Sequence, residues 1–150
     1  MEGKILNDIF NIKKPIIGMV HLRALPGSPN YSSSEINMQK VIEIAVKEAK
    51  LLEKAGIDGL QIENIWDYPF VKGNEIGHET TAAMTAAAVK VKEAVNIPIG
   101  INCHLNGGKQ ALAIAKAVDA KWIRVFEWVN AYISRAGYIE GLSGKLSRYR

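Results

Sequence analysis

The stretch "GLQIENI" (residues 59–65) gives the clearest indication of the architecture. Its length and apolar content predict a short buried strand. Successive side chains of a strand point to opposite faces, so Leu60 and Ile62 lie together on one face. Gln61 and Glu63 lie on the other. A sheet covered by helices on both faces has no place for these two polar side chains. The stretch therefore predicts a sheet with one face against helices and the other toward a polar interior.

Three further stretches repeat this alternation of apolar and polar side chains. Strands are predicted at residues 15–22, 98–105 and 122–129. The polar side chains that alternate with apolar ones there are His21, Arg23, Asn102, His104 and Arg124. Amphipathic or alanine-rich patterns between the strands predict helices over residues 36–55, 80–96 and 107–120. Strands that alternate with helices pair in parallel through right-handed crossovers.

Two α/β architectures share this alternation. One is an open, flavodoxin-like sheet, which a chain of 150 residues completes. The other is a (β/α)₈ TIM barrel, which typically needs about 250 residues and is only half present here. An open sheet leaves the polar side chains stranded among helices, whereas a barrel sends them inward, near the strand ends where barrel enzymes keep their active sites. We therefore expect residues 1–150 to form one domain, about half of a TIM barrel.

Composition narrows the functional classes. Nineteen Lys and Arg residues against fifteen Asp and Glu give a net charge of +4, but the basic residues are dispersed, so we expect no nucleic-acid partner. Cys103 is the single cysteine and is predicted to face the helices as a core residue. No apolar run reaches the roughly 20 residues of a membrane helix, and the first 15 residues lack a signal-peptide core. We expect a cytoplasmic protein without membrane insertion.

Six stretches resemble the N-terminal half of the BtpA/SgcQ family. They are "KPIIGMVHLRALPGSP" (14–29), "GIDGLQIENIWDYPF" (56–70), "GHETTAAMTAAAVKVKEAV" (77–95), "PIGINCHLN" (98–106), "WIRVFEWVNAYISRAGYIEG" (122–141) and "KLSRYR" (145–150). The resemblance implies a TIM barrel of the ribulose-phosphate-binding type. Cyanobacterial members are linked to photosystem I biogenesis, others are proposed enzymes, and some carry the label phosphoribosylanthranilate isomerase.

The sequence departs from that family in two ways. Family members continue for about four more βα units, including strands 7 and 8, where such barrels usually build their phosphate site. Members also often carry an acidic or amide residue two positions after the arginine of the fourth strand. Phe126 stands there in this chain, followed by Glu127. The first departure leads us to expect that this chain lacks the phosphate-binding element of the whole barrel.

The catalytic candidates are Glu63, His21 and Asn102. Burial in a barrel interior is expected to raise the pKa of Glu63, which then acts as a general acid or base. His21, on the adjacent strand, exchanges a proton near neutral pH, and Asn102 orients the substrate. The alternative role of Glu63 is an ion pair with Arg124 or Arg23, and that of His21 is a core histidine bonded to a carbonyl.

The substrate-binding candidates are polar side chains at or just beyond the strand ends. Guanidinium groups grip phosphate or carboxylate, so the two arginines indicate a small anionic substrate, sugar-phosphate or nucleoside-like. Asn and Asp in such places also serve as turn-formers or helix caps. The set is Arg23, Arg124, Asn64, Asp67, His104, Asn106 and Glu140.

These candidates predict an isomerase, a lyase or an enzyme that cleaves a glycosidic bond. No cofactor is expected, and no metal, because local metal-ligand spacing such as H-x-x-x-H is absent. The rival class is a non-catalytic assembly factor of the photosystem I type, and a third reading is a truncated chain that is inactive alone. Four parallel strands leave two open edges, so we expect a homo-oligomer or a complementary C-terminal half barrel as partner.

Overall fold

The computed structural model describes residues 4–150. Four parallel strands form one sheet, in the order β1 (Ile17–His21), β2 (Gly59–Glu63), β3 (Ile99–Asn102) and β4 (Trp122–Ile123). The helices are α1 (Lys4–Phe10), α2 (Met38–Lys54), α3 (His78–Ala94), α4 (Gly108–Val118) and α5 (Ser143–Tyr149). A two-stranded antiparallel hairpin, β5 (Tyr132–Ser134) and β6 (Gly137–Ile139), lies between β4 and α5.

The strand order identifies the architecture. The strands follow one another across the sheet in chain order, and helix α3 packs against both α2 and α4. A flavodoxin-like sheet instead steps back past its first strand and carries helices on both faces. The flavodoxin alternative is therefore set aside. The predicted β/α units of a TIM barrel are confirmed, and the described sheet is a partial repeat of that kind rather than a closed barrel.

The apolar core lies between the sheet and these helices. Leu60, Ile62 and Ile101 are completely buried, and Ala87 and Ala88 of α3 face them in the same core. Alanine side chains are small, so the alanine-rich helix packs closely between its neighbours α2 and α4. The core side of each strand is therefore the side that the alternation of the sequence predicts.

Helix boundaries show one wrong prediction. Helix α2 begins at Met38, where the Oδ1 atom of Asn37 caps it by accepting the Lys40 N–H at 3.0 Å. Helix α3 begins at His78, two residues before the predicted start at residue 80, and Gly77 occupies its N-cap position. Thr80 is buried in the first turn of the helix.

The fourth predicted strand is also shorter than expected. It spans two residues, and its last bond to β3 runs from the Arg124 N–H to the Ile101 carbonyl at 2.9 Å. The Glu127 N–H then donates to the Asn106 side chain instead of to a strand. The chain leaves the sheet there, and the hairpin β5–β6 follows.

The face of the sheet opposite the apolar core is called here the inward face. Aromatic rings cover it near the amino ends of the strands. Phe10 of α1 lies 5.3 Å from the Trp122 ring. A Cβ atom at Gly59 would stand 2.7 Å from the Phe10 ring, and one at Gly100 would overlap the Trp122 indole. These two glycines therefore make room for the rings. None of the helices within residues 4–150 has the length and apolar character needed to span a bilayer.

Candidate functional site

The carboxylate of Glu63 is the centre of the polar group on the inward face. Glu63 ends strand β2, and its side chain is only 2% exposed. Its Oε1 atom accepts a hydrogen bond from Arg124 Nη1 at 2.8 Å, and its Oε2 atom lies 3.2 Å from His104 Nε2. Three strands or their following loops thus converge on one carboxylate at the carboxyl end of the sheet.

The pKa of Glu63 lies below its usual value, so the prediction of a raised pKa is wrong. Burial alone raises the pKa by disfavouring the charged form. Hydrogen bonds with His104, Asn102 and Arg124, together with the charge of Arg124, favour the carboxylate and outweigh that effect. Glu63 is therefore ionised at neutral pH and acts as a fixed negative charge.

The imidazole of His104 is held between two aromatic rings. Phe70 stacks on it at 4.9 Å and Phe126 meets it edge-on at 4.8 Å. An ionised carboxylate only accepts hydrogen bonds, so the pairing with Glu63 places a proton on Nε2. The Nδ1 atom is buried and has no hydrogen-bond partner within residues 4–150. In the neutral ring that nitrogen is the free base.

Asn64 and Asp67 hold the loops behind this group together. Asn64 Oδ1 accepts the His104 N–H at 2.7 Å, and its amide donates to Asp67 Oδ2 at 2.8 Å. Asp67 Oδ1 accepts the Leu25 N–H at 2.8 Å. Burial raises the pKa of Asp67 against the effect of these hydrogen bonds. Both side chains are thus engaged with the protein and fix the position of the His104 backbone.

The two predicted arginines lie in different places. Arg124 is half-exposed and its guanidinium lies 5.3 Å from the Phe126 ring, with one nitrogen on Glu63. Arg23 lies 5.1 Å from the Trp66 ring and 3.8 Å from Glu48 of α2. Arg23 therefore stands at the rim, and the structure does not bring it to Glu63.

His21 and Asn102 flank Glu63 on the neighbouring strands. Both are register partners of Glu63, on β1 and β3 respectively. The Asn102 amide nitrogen lies 3.2 Å from His104 Nε2, and its Oδ1 atom is buried without a partner among the described residues. His21 is partly exposed on the edge strand, and the histidine that contacts Glu63 is His104 instead.

Asn106 and Glu140 join the loop after β3 to the hairpin. Asn106 has a left-handed backbone, with φ of 62°. Its amide donates to the Glu140 carbonyl at 3.1 Å, and its Oδ1 accepts the Glu127 N–H at 3.0 Å. The Glu140 side chain is exposed, so Glu140 contributes through its backbone.

Four residues near this group were not among the candidates. Trp122 Nε1 donates to Gln61 Oε1 at 2.7 Å, and Gln61 lies two residues before Glu63 on the inward face of β2. Phe70 stacks on His104, and the Arg135 guanidinium lies 5.3 Å from the Phe70 ring. The alternation that placed Gln61 and Trp122 inward was the available signal for that pair. Phe70 and Arg135 lie in loops, where no periodicity predicts direction.

Two further groups bear on the chemistry. The Cys103 thiol is buried, and burial with the nearby Asp67 charge raises its pKa to about 12, as expected of a core residue rather than a nucleophile. Within residues 4–150, no three His, Cys, Asp or Glu side chains converge in a way that would hold a metal ion. The polar group on the inward face therefore consists of the Glu63–Arg124 ion pair and the His104 imidazole, with Asn102 beside them.

Comparison with known proteins identifies the family. The model of the BtpA family matches residues 12–150. The chain belongs to the BtpA family. An uncharacterized protein of Archaeoglobus fulgidus is 45% identical over 139 residues, and the photosystem I biogenesis protein BtpA of Synechocystis is 39% identical over 141 residues. An uncharacterized mitochondrial protein of Caenorhabditis elegans is 32% identical over 156 residues.

These relatives are longer than the chain. The matches cover 93%, 94% and 100% of this BtpA-family chain, but 54%, 48% and 55% of the three relatives. The chain therefore spans about half the length of the curated relatives it matches. No solved structure matches it.

Proposed function

We propose that this BtpA-family chain carries half of a barrel-mouth active site that performs acid–base chemistry on a small anionic substrate. The observation that carries the proposal is the buried, ionised Glu63, bound to both Arg124 and His104 at the carboxyl end of the sheet. A buried charge is costly, and fixed charges at this edge of parallel barrels commonly serve catalysis.

His104 is the proton-transfer group in this proposal. Glu63 fixes its Nε2 proton and leaves Nδ1 as a base without a partner in the described structure. Glu63 itself, with a lowered pKa, stays ionised and stabilises positive charge as His104 takes up a proton. His21, on the neighbouring edge strand, is the candidate for a second proton transfer, and Asn102 orients the substrate.

The anionic part of the substrate meets arginine. Arg124 uses one nitrogen on Glu63 and is half-exposed, so its remaining N–H groups face the mouth. Arg23 and Arg135 lie on aromatic rings at the rim of the same mouth. A guanidinium binds carboxylate or phosphate through two parallel hydrogen bonds. A sugar phosphate undergoing isomerisation or elimination fits this arrangement of base and cations.

The test follows proton transfer directly. The purified chain is incubated in D₂O with a panel of sugar phosphates, and ¹H NMR records both conversion and loss of C–H signals to deuterium. We expect Glu63→Gln and His104→Gln each to lower the rate by about 100-fold or more, the typical contribution of a general acid–base group.

The matched control is Glu93→Gln, because Glu93 is exposed on α3 and paired only with Lys90. This variant should keep the wild-type rate. Turnover by Glu63→Gln at the wild-type rate would contradict the proposal, as would no exchange with any panel member once a second half barrel is bound. Far-UV circular dichroism of each variant confirms that lost turnover is not lost folding.

A second candidate function is a non-catalytic role in assembly. The observation that favours it is the 39% identical Synechocystis relative, a photosystem I biogenesis protein. This function needs the surface of the domain but not the proton-transfer group. Complementation of a cyanobacterial strain that lacks its own relative separates the two. Glu63→Gln should retain complementation if the role is assembly, and lose it if the role is catalysis.

We further propose that activity requires another half barrel. The open sheet has a free edge at β1, and β4 is bonded to β3 over only two residues. A second copy related by a two-fold axis along the barrel would place β4 beside the partner's β1 in parallel. Light scattering should then give twice the chain mass of 16.5 kDa. A monomer would favour a complementary half, which mixing with the second half of the Archaeoglobus fulgidus relative tests.

A further inference from the structure

A basic cavity lies beside the hairpin, apart from the Glu63 group. It has a volume of about 710 Å³, is partly open to solvent, and is lined by the loop before α3, the start of α4, strand β6 and the start of α5. Neither Glu63, His104 nor Arg124 lines it. Asn106, whose side chain ties the hairpin to the loop after β3, stands in its wall. Its size falls in the range of small-molecule sites, about 300–1,000 Å³.

Three lysines from separate parts of the chain converge on this cavity. Lys72 precedes α3, Lys109 is in the first turn of α4, and Lys145 is in α5. None of them forms an ion pair within the described residues 4–150. Glu140 is the single acidic residue in the described lining. The lining therefore carries a net positive charge, and its lysine ammonium groups repel one another until an anion binds.

Two of the three lysines contact neighbouring parts of the chain. The Lys109 ammonium lies 5.7 Å from the Tyr149 ring of α5. The Lys72 side chain approaches the hairpin turn, where a Cβ atom at Gly137 would lie 3.3 Å from Lys72 Cε. Contacts of this kind lower the entropy that a lysine loses on binding. Lys109 and Lys145 are exposed, so an anion reaches them from solvent.

Neutral hydrogen-bonding groups complete the lining. Gln110 donates its amide to the Gly73 carbonyl at 2.9 Å, which fixes its side chain at the cavity wall. Tyr138 brings a phenol from β6 to the lining. Helix α4 begins at this wall, so the positive end of its dipole adds to the lysine charges. Lysines bind phosphate as point charges, and amide and phenol groups suit the hydroxyls of an attached sugar.

We infer that this cavity binds a small phosphorylated molecule, at a site separate from the Glu63 group. The phosphate group lies among Lys72, Lys109 and Lys145, and the rest of the ligand lies along Gln110 and Tyr138. The volume exceeds what a free phosphate ion fills, so a phosphate ester binds more tightly than inorganic phosphate.

The test compares two phosphate sources on the full chain by isothermal titration calorimetry at constant ionic strength. Ribose 5-phosphate and inorganic phosphate are the probes, and ribose is the uncharged comparison. The double variant Lys72→Ala/Lys145→Ala should bind ribose 5-phosphate roughly tenfold more weakly or worse, since hydrogen bonds to charged groups contribute strongly.

The matched control is Lys47→Ala/Lys50→Ala, which removes the same charge from the exposed side of α2. It should leave the affinity unchanged, which separates a site from general attraction to a basic protein. Equal weakening by both double variants would overturn the inference, as would absence of ribose 5-phosphate binding. Inorganic phosphate binding as tightly as the ester would show a free-anion site and overturn the ester assignment.

Discussion

Strand β2 has two faces that are equally buried and chemically opposite. Leu60 and Ile62 face the helices and are fully buried. Gln61 and Glu63 face inward and are only 3% and 2% exposed. Apolar burial is non-directional and depends on shape, whereas a buried polar group is stabilised mainly through specific hydrogen bonds. Both oxygens of Glu63 and the Oε1 atom of Gln61 have such partners, while Gln61 Nε2 has none within residues 4–150. The helix face is thus held by packing, and the inward face by a few specific hydrogen bonds.

The largest expected effect is on the helix face. Ile62→Ala removes a fully buried side chain and leaves a cavity, so we expect a loss of about 2–5 kcal/mol in the free energy of unfolding. Urea denaturation measures it. Ile62→Val is the matched control, with an expected loss of about 0.5–1.5 kcal/mol. A loss below that of Ile62→Val would show that the helix face is loosely packed.

The next effect is at the centre of the inward face. Glu63→Gln keeps the shape but removes the charge that His104 and Arg124 bond, so we expect a loss of about 1–3 kcal/mol at pH 7. Arg124 is half-exposed, and water solvates it once the partner is neutral, which limits the loss. Glu93→Gln should change stability by less than about 0.5 kcal/mol. A Glu63→Gln variant that is more stable than the wild type would mean that the buried carboxylate lowers the stability of the fold, as charges retained for function do.

A smaller loss of stability is expected at the hydrogen bond between Trp122 and Gln61, also on the inward face. Trp122→Phe keeps an aromatic ring near Phe10 but leaves Gln61 Oε1 without its donor. We expect a loss of about 1 kcal/mol in urea denaturation, the usual net value of one neutral hydrogen bond. Adding Gln61→Leu should recover part of the loss, because no unpaired amide oxygen then remains. Failure to recover would assign the loss to ring packing instead.

The smallest expected effect is the change with pH in the stability that Glu63 contributes. The folded state lowers the pKa of Glu63 from its ordinary 4.5, so the folded protein holds this proton less tightly than the unfolded chain. The resulting stability is present above about pH 4.5 and is lost as the pH falls through the lower folded value. The difference in unfolding free energy between wild type and Glu63→Gln should therefore narrow between pH 5 and pH 3. A difference that stays constant over this range would contradict the lowered pKa.

Part of the candidate site was predictable from alternation alone. The inward direction of Gln61, Glu63 and Asn102 follows from period two, which is a local property of extended backbone. The partner of Glu63 does not follow from it. His21 is its register neighbour, yet His104 makes the contact, because the turn after β3 brings that ring back over β2. Side-chain directions do not repeat regularly in loops, so the sequence pattern did not predict that the His104 ring lies over β2.

The pKa of Glu63 shows the same limit in energetic terms. Burial was foreseeable, and it does raise the pKa. The opposing hydrogen bonds come from residues up to 61 positions away, and their strength depends on distances of about 3 Å. No pattern in the chain encodes such distances. The sign of the pKa shift was therefore decided by geometry.

Local periodicity and hydrophobicity were enough to predict the β/α alternation, the two faces of the strands and the burial of Cys103. Long-range contacts set the early end of β4, the hairpin and the pairing of Glu63 with His104. Those features depend on which distant groups offer hydrogen-bond partners at the right distance. The cluster of Lys72, Lys109 and Lys145 belongs with them, because its members come from three separate elements.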